Sequence, residues 1–122
     1  IAGINGGSFE GPKMKGIVAP IPAGDWILIR NDGAWQMDVR LTLVTDDDHH
    51  IFMTYRGVRH GPKEVLERLS KGEPVDPSEY YFRNTPWFET GSGKYDWLNR
   101  IVAVATGHRF PEGPTYKVYE IL

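Results

Sequence analysis

Ala34-Trp35-Gln36-Met37-Asp38-Val39-Arg40-Leu41-Thr42-Leu43-Val44-Thr45 alternates apolar and polar residues over most of its length. Strand side chains point to opposite faces with a period of two, so Trp35, Met37, Val39, Leu41 and Leu43 share one face and Gln36, Asp38, Arg40 and Thr42 the other. The stretch reads as one long β-strand. Beyond it, Asp46-Asp47-Asp48-His49-His50 supplies a turn, and Ile51-Phe52-Met53-Thr54-Tyr55-Arg56-Gly57 returns as the second strand of a hairpin. Before it, Asn31-Asp32-Gly33 tolerates the positive φ of a tight turn and follows Trp26-Ile27-Leu28-Ile29-Arg30, a strand that starts from Gly24-Asp25. Lys15 to Ala19 is an earlier strand, stopped by Pro20 and Pro22.

The rhythm changes once. Lys63-Glu64-Val65-Leu66-Glu67-Arg68-Leu69-Ser70 places Val65, Leu66 and Leu69 on one side and charge on the other, bounded by Pro62 and by Gly72 and Pro74, which predicts a single helix of about two turns. Strands are expected again at 80–84, 87–90, 95–107 and 116–122, the last two joined across Pro111-Glu112-Gly113-Pro114. Short sequential strands at this spacing predict an all-β fold, a small antiparallel β-barrel with one short helix, because closure hides the sheet edges that a small β protein otherwise exposes.

A chain of 122 residues suits one domain with one core. Its 14 basic and 16 acidic residues are interspersed, so no long-range field favours nucleic acid or anionic lipid. The absence of cysteine removes disulfides, thiolate nucleophiles and thiolate metal sites. No apolar run approaches the roughly 18 residues of a membrane span, and no signal peptide is visible; a cytoplasmic location is the expectation.

Residues 79–100 carry seven aromatics beside Asn84, Arg83, Glu89 and Asn99. Flat apolar surface mixed with hydrogen-bonding groups is what a small-molecule pocket requires. Trp97 and Asn99 are read as sharing a strand face with Tyr95, and Arg83 and Glu89, on either side of Pro86, as possible partners of each other. Asp38 and Arg40, two apart on one strand, point the same way and can pair. They are read either as a solvated pair over an apolar core or as residues of the lumen. Asp25 beside Trp26 is read either as a turn aspartate bonding its own backbone with Trp26 in the core, or as a carboxylate partly desolvated by the indole and suited to proton transfer. The face of the 35–43 strand that points inward decides among these readings: polar-in with an open cavity favours an enzyme or a carrier, and apolar-in with no cavity sinks both and leaves a structural subunit whose apolar strand face exists for assembly.

Other chemistries find little support. His49-His50 with three aspartates has metal-ligand residue types, but neighbouring strand residues diverge and a hairpin tip is solvated, so no metal site is expected. Gly3, Gly6, Gly7 and Gly11 lack the lysine and the strand-to-helix context of a phosphate loop. Gly91-Ser92-Gly93 reads as a turn rather than a nucleophile elbow.

Gly6-Gly7-Ser8-Phe9-Glu10-Gly11-Pro12, Gly24-Asp25-Trp26, Asp32-Gly33, Asp38-Val39-Arg40-Leu41-Thr42-Leu43, Thr45-Asp46-Asp47, Gly57-Val58-Arg59, Tyr81-Phe82-Arg83, Phe88-Glu89-Thr90 and Tyr95-Asp96-Trp97-Leu98-Asn99 follow one another in this order. Together they resemble the family catalogued as domain of unknown function 3237, small proteins of bacteria and fungi. The resemblance implies an antiparallel barrel of lipocalin-like shape, often oligomeric, with no agreed general activity, and its motif keeps Asp38 and Arg40. Two departures stand out. Family members carry a further strand or hairpin ahead of the Gly-Gly-Ser-Phe region, so this barrel is expected to be shortened, processed or completed by another segment. The hairpin tip reads Asp47-Asp48-His49-His50 where the family has Asp-Gly.

The functional expectation is a cofactor-independent isomerase, cyclase or lyase acting on a small hydrophobic or aromatic metabolite in the lumen. Asp25, Asp38 or Glu89 would move the proton, with Arg40 and Arg83 as the other catalytic candidates. Trp26, Tyr55, Tyr81, Phe88, Trp97 and Asn99 would bind substrate. The alternative is a carrier with the same pocket and no chemistry. A small-molecule ligand and a second copy of the chain, as a homodimer, are the expected partners.

Overall fold

The computed structural model describes residues 1–122. In chain order the strands are β1 (Ala2–Gly3), β2 (Ser8–Glu10), β3 (Lys15–Val18), β4 (Gly24–Asp25), β5 (Leu28–Ile29), β6 (Trp35–Thr45), β7 (His50–His60), β8 (Tyr81–Glu89), β9 (Val102–Phe110) and β10 (Gly113–Ile121). The helix α1 (Lys63–Ser70) links β7 to β8 over the predicted residues. All pairings are antiparallel, in the order β1-β4-β6-β7-β8-β9-β10, with β3 and β5 also on β6 and β2 on β3. The two ends of this path, β1 and β10, are not paired with each other.

The β6–β7 hairpin is the frame. Its ladder runs from Trp35 opposite Arg59 to Val44 opposite His50. On the other edge of β6, the Pro-interrupted N-terminal region pairs only in pieces, β3 against residues 43–45, β4 against 39–40 and β5 against 35–36. Pro20 and Pro22 deny this edge a continuous ladder because proline has no N–H to donate.

The apolar face of β6 points inward. Met37, Val39, Leu41 and Leu43 are buried with Ile51, Met53 and Tyr55 of β7, Phe82 of β8, and Val65 and Leu69 of α1, whereas Arg40 is exposed. Ile51 and Val39 are 0% and 1% exposed, and burying such a side chain stabilises the fold by about 1.5–3 kcal/mol. The helix ends with Gly72 at φ 76°, where Gly72 N–H donates to Leu69 O and Glu73 N–H to Arg68 O, closing the last turn.

Three boundaries differ from expectation. Residues 95–107 are not one strand: Asp96–Arg100 forms a 3-10 turn that buries Leu98 and precedes β9. Asn99 helps to fix this turn, since its amide both accepts from Thr90 N–H (2.8 Å) and donates to Thr90 O (2.9 Å). Residues 26–30 shrink to the two-residue β5, with Trp26 N–H bonded to Asp38 O. Pro86 does not break β8, because the β8–β9 ladder is confined to Arg83–Thr106 and Asn84–Ala105 and requires no N–H from it.

Candidate functional site

Residues opposite one another in an antiparallel pair share a face, so the register sorts the site residues without further assumption. Asp25 lies opposite Val39, and Val39 opposite Tyr55. All three therefore lie on the inner face. One step along, Met37 faces Gly57, which faces Asn84, which faces Ala105; one step further, Arg59 faces Phe82. From β10, Tyr116 closes the interior, its ring edge-on to Tyr55 (5.3 Å) and Phe82 (5.4 Å) and its hydroxyl 3.9 Å from Met37 Sδ.

Gly57 makes room for this arrangement. A Cβ there would stand 2.4 Å from Arg83 O and 2.6 Å from Asn84 Cβ, so any side chain would displace the amide beside it. Asn84 is 4% exposed, and neither its Oδ1 nor its Nδ2 has a protein hydrogen-bond partner. A buried amide left unpaired costs about 1–3 kcal/mol.

The electrostatics divide the interior into two ends that meet at Tyr116. At one end, burial pushes the Asp25 carboxyl above its ordinary pKa, opposed by the Asp38 N–H that donates to its Oδ1 at 2.9 Å and reinforced by the Asp38 charge. Burial also raises both phenols, and the Asp25 charge adds to each. Tyr55 and Tyr116 therefore stay protonated and act as hydrogen-bond donors. At the other end, Arg59 rests on Trp35 (4.4 Å to the ring centre), with Phe82 at 5.9 Å. Burial and the nearby Arg109 charge pull its pKa down. Arg59 Nε is buried without a partner, and neither arginine has a carboxylate within ion-pair distance. Arg109 is held near by its own N–H, which donates to the Tyr80 hydroxyl at 2.8 Å.

Of the residues singled out from the sequence, Asp25 and Tyr55 come together here. The others disperse. Asp38 and Arg40 lie on the outer face and form no ion pair; Arg40 lies 6.0 Å from the Trp26 ring centre instead, and Trp26 is half exposed. Arg83 and Tyr81 stack at 5.3 Å on that same face, lining a cleft of about 460 Å³ with Arg56, Thr85 and Thr106. Glu89 is exposed at the far end of β8, six residues from Arg83 and so about 20 Å away, which rules out the expected pair. Phe88 packs against the core. Trp97 does so too, with Lys13 Nζ 4.5 Å from its ring centre, and Asn99 is committed to Thr90, so Tyr95, Trp97 and Asn99 form no common strand face.

Arg59, Arg109 and Tyr116 escaped the sequence reading as site residues, and Asn84 was read there only as one of the hydrogen-bonding groups of 79–100. One signal was present: Gly57-Val58-Arg59 and Gly107-His108-Arg109 each set an arginine two residues after a glycine, hence on the face where the glycine leaves space.

The fold recurs in solved structures. A beta-barrel like protein from Acinetobacter baumannii is 41% identical and superposes with a TM-score of 0.82, covering 97% of this chain and 74% of its own. A conserved protein of unknown function from Rhodopseudomonas palustris is 34% identical with a TM-score of 0.93, covering 98% and 78%. A UPF0311 protein of Clostridium acetobutylicum is 35% identical over 118 residues, 97% of this chain and 71% of that one. The family model described as "Protein of unknown function (DUF3237)" matches residues 1–121, and the chain belongs to that family.

Proposed function

We propose that the protein is a cofactor-independent acid–base catalyst that moves a proton on a small organic carbonyl compound held against the inner face. The observation that carries this reading is the grouping of Asp25, with its raised pKa, and two protonated phenols, Tyr55 buried and Tyr116 partly buried, on one inner face. In such an arrangement the Asp25 carboxylate takes a proton from the carbon next to the carbonyl, and the C–H electron pair moves into the new enolate. The Tyr55 and Tyr116 hydroxyls donate to the enolate oxygen. Return of the proton to a different carbon completes an isomerisation. This places the chemistry on Asp25 and leaves Asp38, Arg40, Arg83 and Glu89 outside it. The inward apolar face of β6 counts against a lumen site along that strand, so the proposal is confined to the surface around Tyr55 and Tyr116 on which the Asp25 charge acts.

The rival is a carrier that binds the same compound unchanged, which the unpaired Asn84 amide also favours. Exchange of the benzylic α-protons of 2-tetralone in deuterated water, followed by NMR, separates the two. Catalysis predicts exchange above the buffer rate that is lost in Asp25→Asn. Binding without exchange supports the carrier, and neither binding nor exchange removes the interior site.

A further inference from the structure

We infer that the ligand of this interior carries a carboxylate or comparable anion, received by Arg59 and Arg109, with the Asn84 amide further along the same inner face and its apolar body along Tyr116 and Phe82; this rests on the interior site proposed above. Three observations converge. Arg59 is held at a fixed angle by stacking on Trp35, which leaves its fork of donors pre-organised rather than free to wander in solvent. A second cation, Arg109, faces the same region from β9, and no carboxylate pairs with either. Two like charges brought together in a desolvated place destabilise the free protein, and an anion between them offsets that penalty. Asn84 is more than nine-tenths buried on the inner face, with a donor and an acceptor both unspent.

The charge around the interior is distributed to match. Asp25 on β4 and Arg109 on β9 lie on either side of the β7–β8 pair in the sheet order, and both act electrostatically on Tyr116. A ligand with a negative head therefore has one favourable orientation, head toward Arg59 and Arg109 and reactive carbon toward Asp25. The same polarity predicts rejection of cationic amines of equal size.

Benzoate and its neutral isostere benzamide are suitable probes, titrated by NMR into the intact 122-residue chain while Tyr55, Asn84 and Tyr116 resonances are followed. Benzoate is expected to bind at least about tenfold more tightly than benzamide, because charge-assisted hydrogen bonds are roughly twice as strong as neutral ones. The preference should fall in Arg109→Gln and in Arg59→Gln; Arg109→Gln keeps the test valid if loss of the Trp35 stack unfolds the Arg59 variant. Equal shifts with both probes overturn the anion assignment and leave the interior site standing. No shift with either probe at those three residues overturns both.

Discussion

Two polar clusters sit at opposite ends of the same hairpin and differ in one respect. At the tip, Asp47 pairs with Lys94, accepts from the Tyr95 hydroxyl at 2.8 Å and lies 3.8 Å from His49 Nε2. Thr45 Oγ1 accepts from His49 N–H, Asp48 turns the chain at φ 65°, and Thr90 Oγ1 ties β8 back to His50 O at 2.7 Å. In the interior, Asn84 and Arg59 Nε hold nothing, whereas at the tip Ser92 Oγ is the one buried side-chain atom without a partner. Networks whose donors and acceptors are nearly all spent specify a structure, whereas several unspent groups in a desolvated place cost stability and are retained where a partner comes from outside. The tip is architecture, and the interior is where recognition is to be sought.

The sharpest attempt to break this contrast is Gly57→Val. It forces a side chain against the Arg83 carbonyl and the Asn84 amide, and is expected to cost about 3 kcal/mol in urea unfolding while abolishing ligand-induced shifts at Asn84. Next comes a matched pair. Thr90→Val removes a hydroxyl that donates to His50 O and accepts from Ser92 N–H, and should lose about 2 kcal/mol. Asn84→Leu removes an amide with no partner and should gain about 1 kcal/mol, measured by the same denaturation. A loss at Asn84 equal to that at Thr90 would erase the distinction between the clusters.

The smallest effects concern two aspartates with shifts of opposite sign. Asp25 is raised, so its contribution to stability is fully present below the ordinary carboxylate pKa of about 4 and is lost as pH rises through the raised value. Asp25→Asn should therefore melt higher than the parent at pH 7, with the gap closing on acidification. Asp47 is lowered, chiefly by Lys94 and then Thr45, so its contribution is present above about pH 4 and is lost as pH falls through the depressed value. Asp47→Asn should melt lower at pH 7, and its gap should also close in acid. Melting curves at pH 3 to 7 read both, and shifts of the same sign would overturn the assignment.

The architecture was legible where local pattern and tertiary context agree. The alternation over 35–43, the turn at Asp46–His50 and the amphipathic Lys63–Ser70 segment all describe what the chain does there. The run at 95–107 misled because Tyr95, Trp97 and Ile101 also look like one strand face, while what sets the turn is the Asn99 amide on Thr90, a contact no periodicity records. Asp25 and Tyr55 were within reach because each carries its chemistry in its immediate neighbours. Tyr116 was not: its relation to Met37 spans 79 positions and exists only because the sheet curls. Asn84 and Arg59 were hidden for a related reason, since it is burial that turns an ordinary amide and an ordinary arginine into unpaired ones.

β10 hydrogen-bonds to β9 and to no other strand, and the one side chain it sends deep inward is Tyr116. Opening of the β9–β10 ladder is thus also the withdrawal of Tyr116 from the interior. Under the proposed reading, the lifetime of a molecule held against Tyr116 would be coupled to how often the nine residues of β10 part from β9. A ligand touching Tyr116 would slow amide exchange along an entire strand it otherwise never meets, so that the edge of the sheet reports on what its centre holds.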